Sequence, residues 1–289
     1  MDLRQFRVFT EVARLGSFTR AAEQLRIAQP AVSISIRKLE EELEVTLFNR
    51  QEKNVSLTTE GETLLTHANR IMEDFAAAEA EMAELRGLTK GEVRIGIPPM
   101  MSSYYFPLII KNFRQRYPNL KLSVRGEGAA SIQRLITRGE IDMGVIAGQK
   151  IPEGLEWQHF LREEIVACVP PDHPLAGRES VTLEEFLQEP QILFKEGYYM
   201  RELIDELVDE RDLNPQFVFE TNLFSLVRSL IKQKLGISTF LRMVVTGDAD
   251  LAAVSFDPPL YIDLVIAWKD NRYLSRANRA FIDFLLENL

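Results

Sequence analysis

Apolar residues recur every three or four positions at the start of the chain, at Leu3, Phe6, Phe9 and Val12 or Ala13. This spacing predicts an amphipathic helix over 2–15, ended by Gly16. Ser17 or Thr19 then caps a short second helix around Ala21, Ala22 and Leu25, and the small Ala21–Ala22 pair lets another helix approach closely. A third helix is predicted from near Pro30, because proline suits the first helical turn. It runs through Leu43 with Val32, Ile36, Leu39 and Leu43 inward. "LFNRQEKNVSLT" (47–58) predicts two short strands around a polar turn at 51–54.

From Glu60 the pattern changes. Apolar residues at Leu64, Ala68, Ile71, Phe75, Ala78, Met82 and Leu85 alternate in steps of four and three, the seam of a coiled coil on one continuous helix. A lone helix cannot bury such a seam. It either pairs with a second copy or packs on the chain's own body, and the independent patterns on both sides favour pairing. Gly87 and Gly91 mark a hinge. Strands and helices alternate beyond it. Strands are predicted at 92–97, 121–126, 141–147, 163–170, 191–194, 216–220, 236–240 and 260–268. Helices are predicted at 103–117, 131–138, 200–210, 222–234 and 276–288. Such alternation implies parallel βαβ units, arranged as two α/β halves with crossovers near 163–168 and 262–267.

Composition narrows the class. The 289 residues suffice for two domains, and 46% hydrophobic content describes a globular protein. No apolar run reaches the length of a membrane span, and the N-terminus interrupts its apolar residues with Arg4, Arg7, Glu11 and Arg14, unlike a signal peptide. A cytoplasmic protein without membrane association is expected. The single cysteine, Cys168, sits in an apolar strand and agrees with a reducing compartment. Three scattered histidines, among them His67 and His159, offer no metal cluster. No cofactor, metal site or catalytic constellation is expected, so the chain does not read as an enzyme. The net charge of −9 falls entirely after residue 60, because Lys/Arg and Asp/Glu balance within the first sixty residues.

On the third helix Gln29, Ser33 and Arg37 share one face at i, i+4 and i+8. Glutamine can bond adenine, arginine can bond guanine and serine can contact bases or phosphates. Arg50 and Lys53 on the ribbon could reach backbone phosphates. Three helices and a ribbon make a winged helix-turn-helix. The residues alone leave a DNA reader and an ordinary solvated helix face evenly matched.

A resemblance separates them. "FTEVARLGSFTRAAEQLRIAQPAVSISIRKLEEELEVTLFNR" followed by "VSLTTEG" closely resembles the N-terminal domain of LysR-type transcriptional regulators, and "GEVRIGI", "FRQRYPNLKL", "LITRGEIDMGVI", "DHPLAG" and "KLGISTF" are similar to its later parts. The resemblance implies a winged helix-turn-helix (1–59) in which Gln29, Pro30, Ser33, Arg37, Arg50 and Lys53 contact DNA. It implies a linker and dimerisation helix (60–88) pairing through Leu64, Ala68, Ile71, Phe75, Ala78 and Met82. It implies an effector domain (89–289) similar to type 2 periplasmic binding proteins, with one subdomain over about 91–163 plus 266–289 and the other over about 164–265. Ala28, Ser35 and Glu44 depart from the family pattern. Ala28 removes a helix-capping hydroxyl, and Glu44 replaces the glycine that terminates the helix left-handed.

Ligands in such folds sit between the halves, at strand ends and helix N-termini. The sequence places Met100, Met101, Ser102, Ser103, Gly128, Ser131, Phe194, Tyr198, Tyr199, Arg201, Thr221 and Asn222 there. Helix N-termini with hydroxyls would hold a small carboxylate, and the methionines and tyrosines an apolar tail. The expected partners are promoter DNA with a dyad site, a small-molecule effector, a second copy through the linker helix, a homotetramer as the family implies, and RNA polymerase. The rivals are a solute-binding protein, suggested by the C-terminal two-thirds alone, and an enzyme with a regulatory head.

Overall fold

The computed structural model describes residues 1–49, 55–85, 91–149, 151–211, 213, 215–270 and 272–288. The chain forms two compact units, Met1–Leu88 and Thr89–Leu289.

The first unit contains α1 (Leu3–Leu15), α2 (Phe18–Leu25), α3 (Gln29–Leu43), the ribbon strands β1 (Phe48–Asn49) and β2 (Ser56–Leu57), and α4 (Thr59–Leu85). Asp2 and Gln5 form a reciprocal capping box at the start of α1, and Gly16 ends it in the left-handed region at φ 57°. Ser17 caps α2. Phe6, Phe9, Val12, Ala21, Ala22, Val32, Ile36 and Leu39 close the core. Phe48 of the ribbon packs obliquely against Phe9 and edge-on against Phe18, with ring centroids 5.4 and 5.6 Å apart. Leu43 is only partly buried. The expected loss of a left-handed terminator at Glu44 is corrected: Glu44 itself adopts φ 56°, and its N–H donates to the Glu40 carbonyl. The geometry survives the missing glycine at the expense of a strained backbone.

Helix α4 has 27 residues. Its seam divides. Ala68 is fully buried and Leu64 partly buried in the core of the same unit. The intrachain alternative therefore holds for this stretch, and Ala68 is not free to meet a partner. Ile71, Phe75 and Met82 are 38%, 43% and 50% exposed, and Ala78 is exposed as well.

The second unit holds β3 (Glu92–Ile97), α5 (Pro99–Tyr104), α6 (Phe106–Arg116), β4 (Lys121–Gly126), α7 (Ala129–Thr137) and β5 (Met143–Ala147), then the long β6 (Leu155–Val169). There follow β7 (Ser180–Val181), α8 (Leu183–Gln188), β8 (Gln191–Phe194), α9 (Tyr199–Arg211), β9 (Phe217–Thr221), α10 (Phe224–Lys232), β10 (Ser238–Leu241), α11 (Arg242–Val245), the long β11 (Ala252–Lys269) and α12 (Arg276–Glu287). The main sheet runs β10-β6-β11-β5-β3-β4, with β7 beside β11. The pairs β3–β4, β3–β5 and β8–β9 are parallel, as the alternation predicts.

The sequence underestimates β6 and β11. Each is one strand belonging to both α/β halves, and the two run antiparallel side by side. The end of β11 pairs with β5, while its start pairs with β7 and the end of β6. Irregularities at Ser255/Leu260 and Leu264/Val265 break the register where the pair passes between halves. Just beyond the crossing, Glu164 binds Arg242, and the Glu163 carboxylate accepts the Met243 N–H at 3.1 Å. Aromatic packing fixes each half: Phe113 meets Phe281 and Phe284 at 4.9 and 5.4 Å in one, and Phe186 meets Phe256 at 5.1 Å in the other. Among the described residues no helix is long and apolar enough to cross a membrane, and no cluster of His, Cys, Asp or Glu could hold a metal.

Candidate functional site

Helix α3 buries Val32, Ile36 and Leu39 completely. Its opposite side carries exposed Gln29, Pro30, Ala31, Arg37 and Lys38, with Ser33 partly exposed. Three of the residues singled out by spacing therefore share an open face. The Gln29 amide donates to the Ser33 hydroxyl at 2.9 Å, and Arg37 lies 3.7 Å from Glu41. Both contacts are between exposed side chains, so neither holds its residue firmly against a competing ligand. Ala28 occupies the N-cap without a side-chain cap, and Pro30 stands in the first turn. Arg50 and Lys53, assigned to phosphates from the sequence, lie outside the described residues. One residue on this face escaped sequence reasoning: Ile34, which is 45% exposed.

The second site is a cavity of about 60 Å³ between the two halves of the second unit. One half contributes Pro98, Pro99, Met100, Met101, Ala129, Ile146 and Ala147. The other contributes Phe194, Tyr198, Tyr199, Met200, Phe224 and Leu241, and β11 supplies Ile262 and Leu264. The walls are almost entirely apolar. Burial pushes the Tyr198 and Tyr199 hydroxyls above the usual tyrosine range, aided by the negative charges of Glu127 at Tyr198 and of Asp263 and Glu202 at Tyr199. Both are neutral hydrogen-bonding groups at neutral pH. Tyr198 stacks on Phe194 at 5.6 Å and donates to the Asn222 carbonyl at 3.2 Å.

The halves touch at the mouth. Gly128 caps α7 and is buried. The Ala130 N–H donates to the Gly197 carbonyl of the opposite half at 3.3 Å. A Cβ on Gly128 would stand 2.6 Å from that oxygen and 3.1 Å from the Tyr198 ring, so only glycine permits this approach.

Met100, Met101, Phe194, Tyr198 and Tyr199 line the cavity as the sequence places them, and Gly128 borders its mouth. The polar residues do not join them. Helix α5 opens at Pro99, not at the serines. The Ser102 hydroxyl donates back to the Pro99 carbonyl at 2.9 Å, and Ser103 faces solvent. Ser131 sits inside α7, off the lining. Thr221 is buried and accepts the Leu223 N–H, while Asn222 contributes only its carbonyl, to Tyr198. Arg201 binds Asp205 through both carboxylate oxygens, at 2.8 Å each, and also Glu220 and the Phe194 carbonyl. Burial alone would weaken its charge, but these carboxylates hold it protonated and neutralise it. It therefore offers no spare cation to the cavity. Ile146, Ile262 and Leu264 fall in strands predicted from sequence and Leu241 just past one, and only the crossing of β6 and β11 turns some of these positions into a cavity wall. Cys168 is fully buried, and burial raises its thiol to about 12, making it unreactive.

Two families of domain match the chain. "Bacterial regulatory helix-turn-helix protein, lysR family" matches residues 3–62, and "LysR substrate binding domain" matches residues 86–289. An uncharacterized HTH-type transcriptional regulator of Bacillus subtilis, YwbI, is 32% identical over 98% of this chain and 95% of its own. The structure of full-length CbnR complexed with its target DNA superposes with a TM-score of 0.67 at 19% identity, covering both chains completely. The regulatory domain of CcmR from Synechocystis PCC6803, in complex with 2-PG, superposes with a TM-score of 0.64 at 21% identity, covering 69% of this chain and 97% of that one.

Proposed function

The chain belongs to the LysR family of bacterial helix-turn-helix transcriptional regulators, and from that premise we propose that α3 reads a dyad operator while the cleft of the second unit receives the controlling ligand. The observation that carries the first part is the open face of α3, with Gln29, Ser33 and Arg37 turned away from a fully buried stripe. CbnR, of the same fold, binds its target DNA. The first sixty residues balance their charges, so one head has little general attraction for a polyanion. Useful affinity then requires two heads on one duplex, with half-sites about one helical turn, or a multiple, apart. The exposed Ile71, Phe75 and Met82 of α4 supply the apolar surface for pairing two copies. Exposed Phe217, Val218, Phe219 and Leu223 on the effector unit supply a second apolar surface, consistent with a tetramer. RNA polymerase is a further partner of such a regulator, and the cytoplasm is its site of action.

The ligand we assign to the cleft is a small carboxylate with a predominantly apolar body. The neutralised Arg201 and the inward-turned Ser102 leave no charged side chain to anchor the acid, so its contacts fall to backbone N–H groups and the Tyr198 and Tyr199 hydroxyls. The same-fold CcmR domain with 2-PG supports a ligand in this half of the protein. Selection of duplexes from a random pool by the full chain, followed by binding titrations, tests the DNA reading. A dyad should be enriched, and Arg37→Ala should lose specificity for it by about 1–3 kcal/mol per half-site while the oligomer persists. Equal binding by wild type and Arg37→Ala removes Arg37 from the reading face. For the cleft, a thermal-shift screen of small carboxylates should find binders whose stabilisation disappears in Tyr199→Ala.

A further inference from the structure

Nothing in the packing of the first unit accounts for Ile34. At about 100° per residue along an α-helix, it lies about 160° around from both Val32 and Ile36. It therefore stands near the centre of the open face of α3, more squarely outward than Gln29 or Ser33. It is 45% exposed, and its helical neighbours Pro30, Ala31, Arg37 and Lys38 are exposed as well. Helix propensity does not favour it there, because a β-branched side chain is a poorer helix former than the straight-chain residues that usually fill solvent-facing positions. Pro30, Ala31 and Ile34 together form a small apolar ridge, bordered by Gln29 and Ser33 on one side and by Arg37 and Lys38 toward the C-terminal end.

We infer that Ile34, supported by Pro30 and Ala31, is a specificity-determining residue that reads the C5-methyl group of a thymine in each half-site. The inference rests on the proposal that α3 enters the major groove. There the edges of the base pairs are mostly hydrogen-bond donors and acceptors, and thymine alone of the four bases presents an apolar methyl. An aliphatic side chain at the middle of the inserted face has no polar atom with which to satisfy those donors and acceptors. Opposite any other base it would desolvate a polar edge without compensation. Opposite thymine both surfaces leave water together. The flanking polar residues then define the register: Gln29 and Ser33 face bases on one side of the thymine, and Arg37 those on the other.

The test uses the full chain and the operator obtained by selection. Each thymine of the half-site is replaced in turn by deoxyuridine, which deletes the methyl and keeps the pairing. One position per half-site should weaken wild-type binding about fourfold, the factor for one buried methyl. Ile34→Ala should bind the original operator more weakly and show no further loss on uracil substitution at that position. Ile34→Val should keep the methyl sensitivity, which separates lost contact from a disturbed fold. If uracil substitution costs wild type and Ile34→Ala the same at every position, Ile34 reads no methyl. If Ile34→Ala changes the oligomeric state and leaves DNA binding untouched, the ridge is a protein contact and the assignment falls. A pool from which the full chain enriches no duplex overturns the DNA reading itself, and this inference with it.

Discussion

The Gly197 carbonyl oxygen lies 2.6 Å from the point where a Cβ on Gly128 would stand, and it accepts the Ala130 N–H from the same helix start. Gly128 has an ordinary extended backbone, φ −67° and ψ 157°. Alanine there would be unstrained by itself and would collide only with the opposite half. Gly128→Ala should therefore leave each half folded and destabilise their closed contact by about 1–3 kcal/mol. Hydrogen exchange should detect this as faster exchange at Ala130, with the amides of β3 unchanged. Equal exchange at Ala130 in both proteins would contradict the contact.

Gly61 has a different reason to be glycine. A Cβ there would stand 2.2 Å from the Leu47 carbonyl oxygen and 2.9 Å from the Leu57 side chain. This is where α4 packs on the ribbon. Neither backbone can give way easily, so Gly61→Ala should destabilise the first unit by at least about 1–3 kcal/mol. Urea unfolding followed by the signal of the first unit should move to lower denaturant, while the second unit unfolds as before.

Ile71 and Phe75 belong to the exposed stretch of the seam that we assign to pairing two copies. Replacing both with glutamate places charge where apolar contact is expected. Sedimentation velocity should then report smaller species than the parent chain, and operator binding should weaken strongly because two heads no longer act together. An unchanged sedimentation coefficient would return the seam to the chain's own body.

The buried thiol of Cys168 makes a pH prediction with a definite sign. Its ordinary value is 9.0 and burial raises it to about 12. The folded state therefore prefers the protonated thiol. The stability this preference contributes is fully present below pH 9 and is lost as the pH rises toward 12. At pH 8 a thiol reagent should label Cys168 only as fast as the chain opens, and labelling should become rapid on unfolding in urea. Rapid labelling of the folded chain at pH 8 would contradict the burial.

Much of the first unit was legible because its signals are local. The periodicity of Phe6, Phe9, Val12, Val32, Ile36 and Leu39, and the stop at Gly16, each depend on residues a few positions apart. The outward Gln29, Ser33 and Arg37 follow from the same period. Ile34 was passed over because an isoleucine in a helical run reads as core until its angle is compared with the buried stripe. Glu44 was misjudged for a related reason: the family pattern tells which residue is easiest in a left-handed turn, while the tertiary structure decides whether the turn is made. The cleft was only half legible. Its apolar lining at Met100, Met101, Phe194, Tyr198 and Tyr199 could be located from strand ends. The diversion of Arg201 to Asp205 and Glu220, and of the Ser102 hydroxyl to Pro99, depends on contacts that no spacing reveals.

Two strands, β6 and β11, join the halves of the effector unit, and they are hydrogen-bonded to each other through the crossing. A single connection would let one half swivel freely. A paired ribbon resists twisting and shear, and bends readily only across its own face. The irregular steps at Ser255/Leu260 and Leu264/Val265 mark where such a bend is easiest. A bend at those steps would change the angle between the halves, and with it the width of the cavity they enclose.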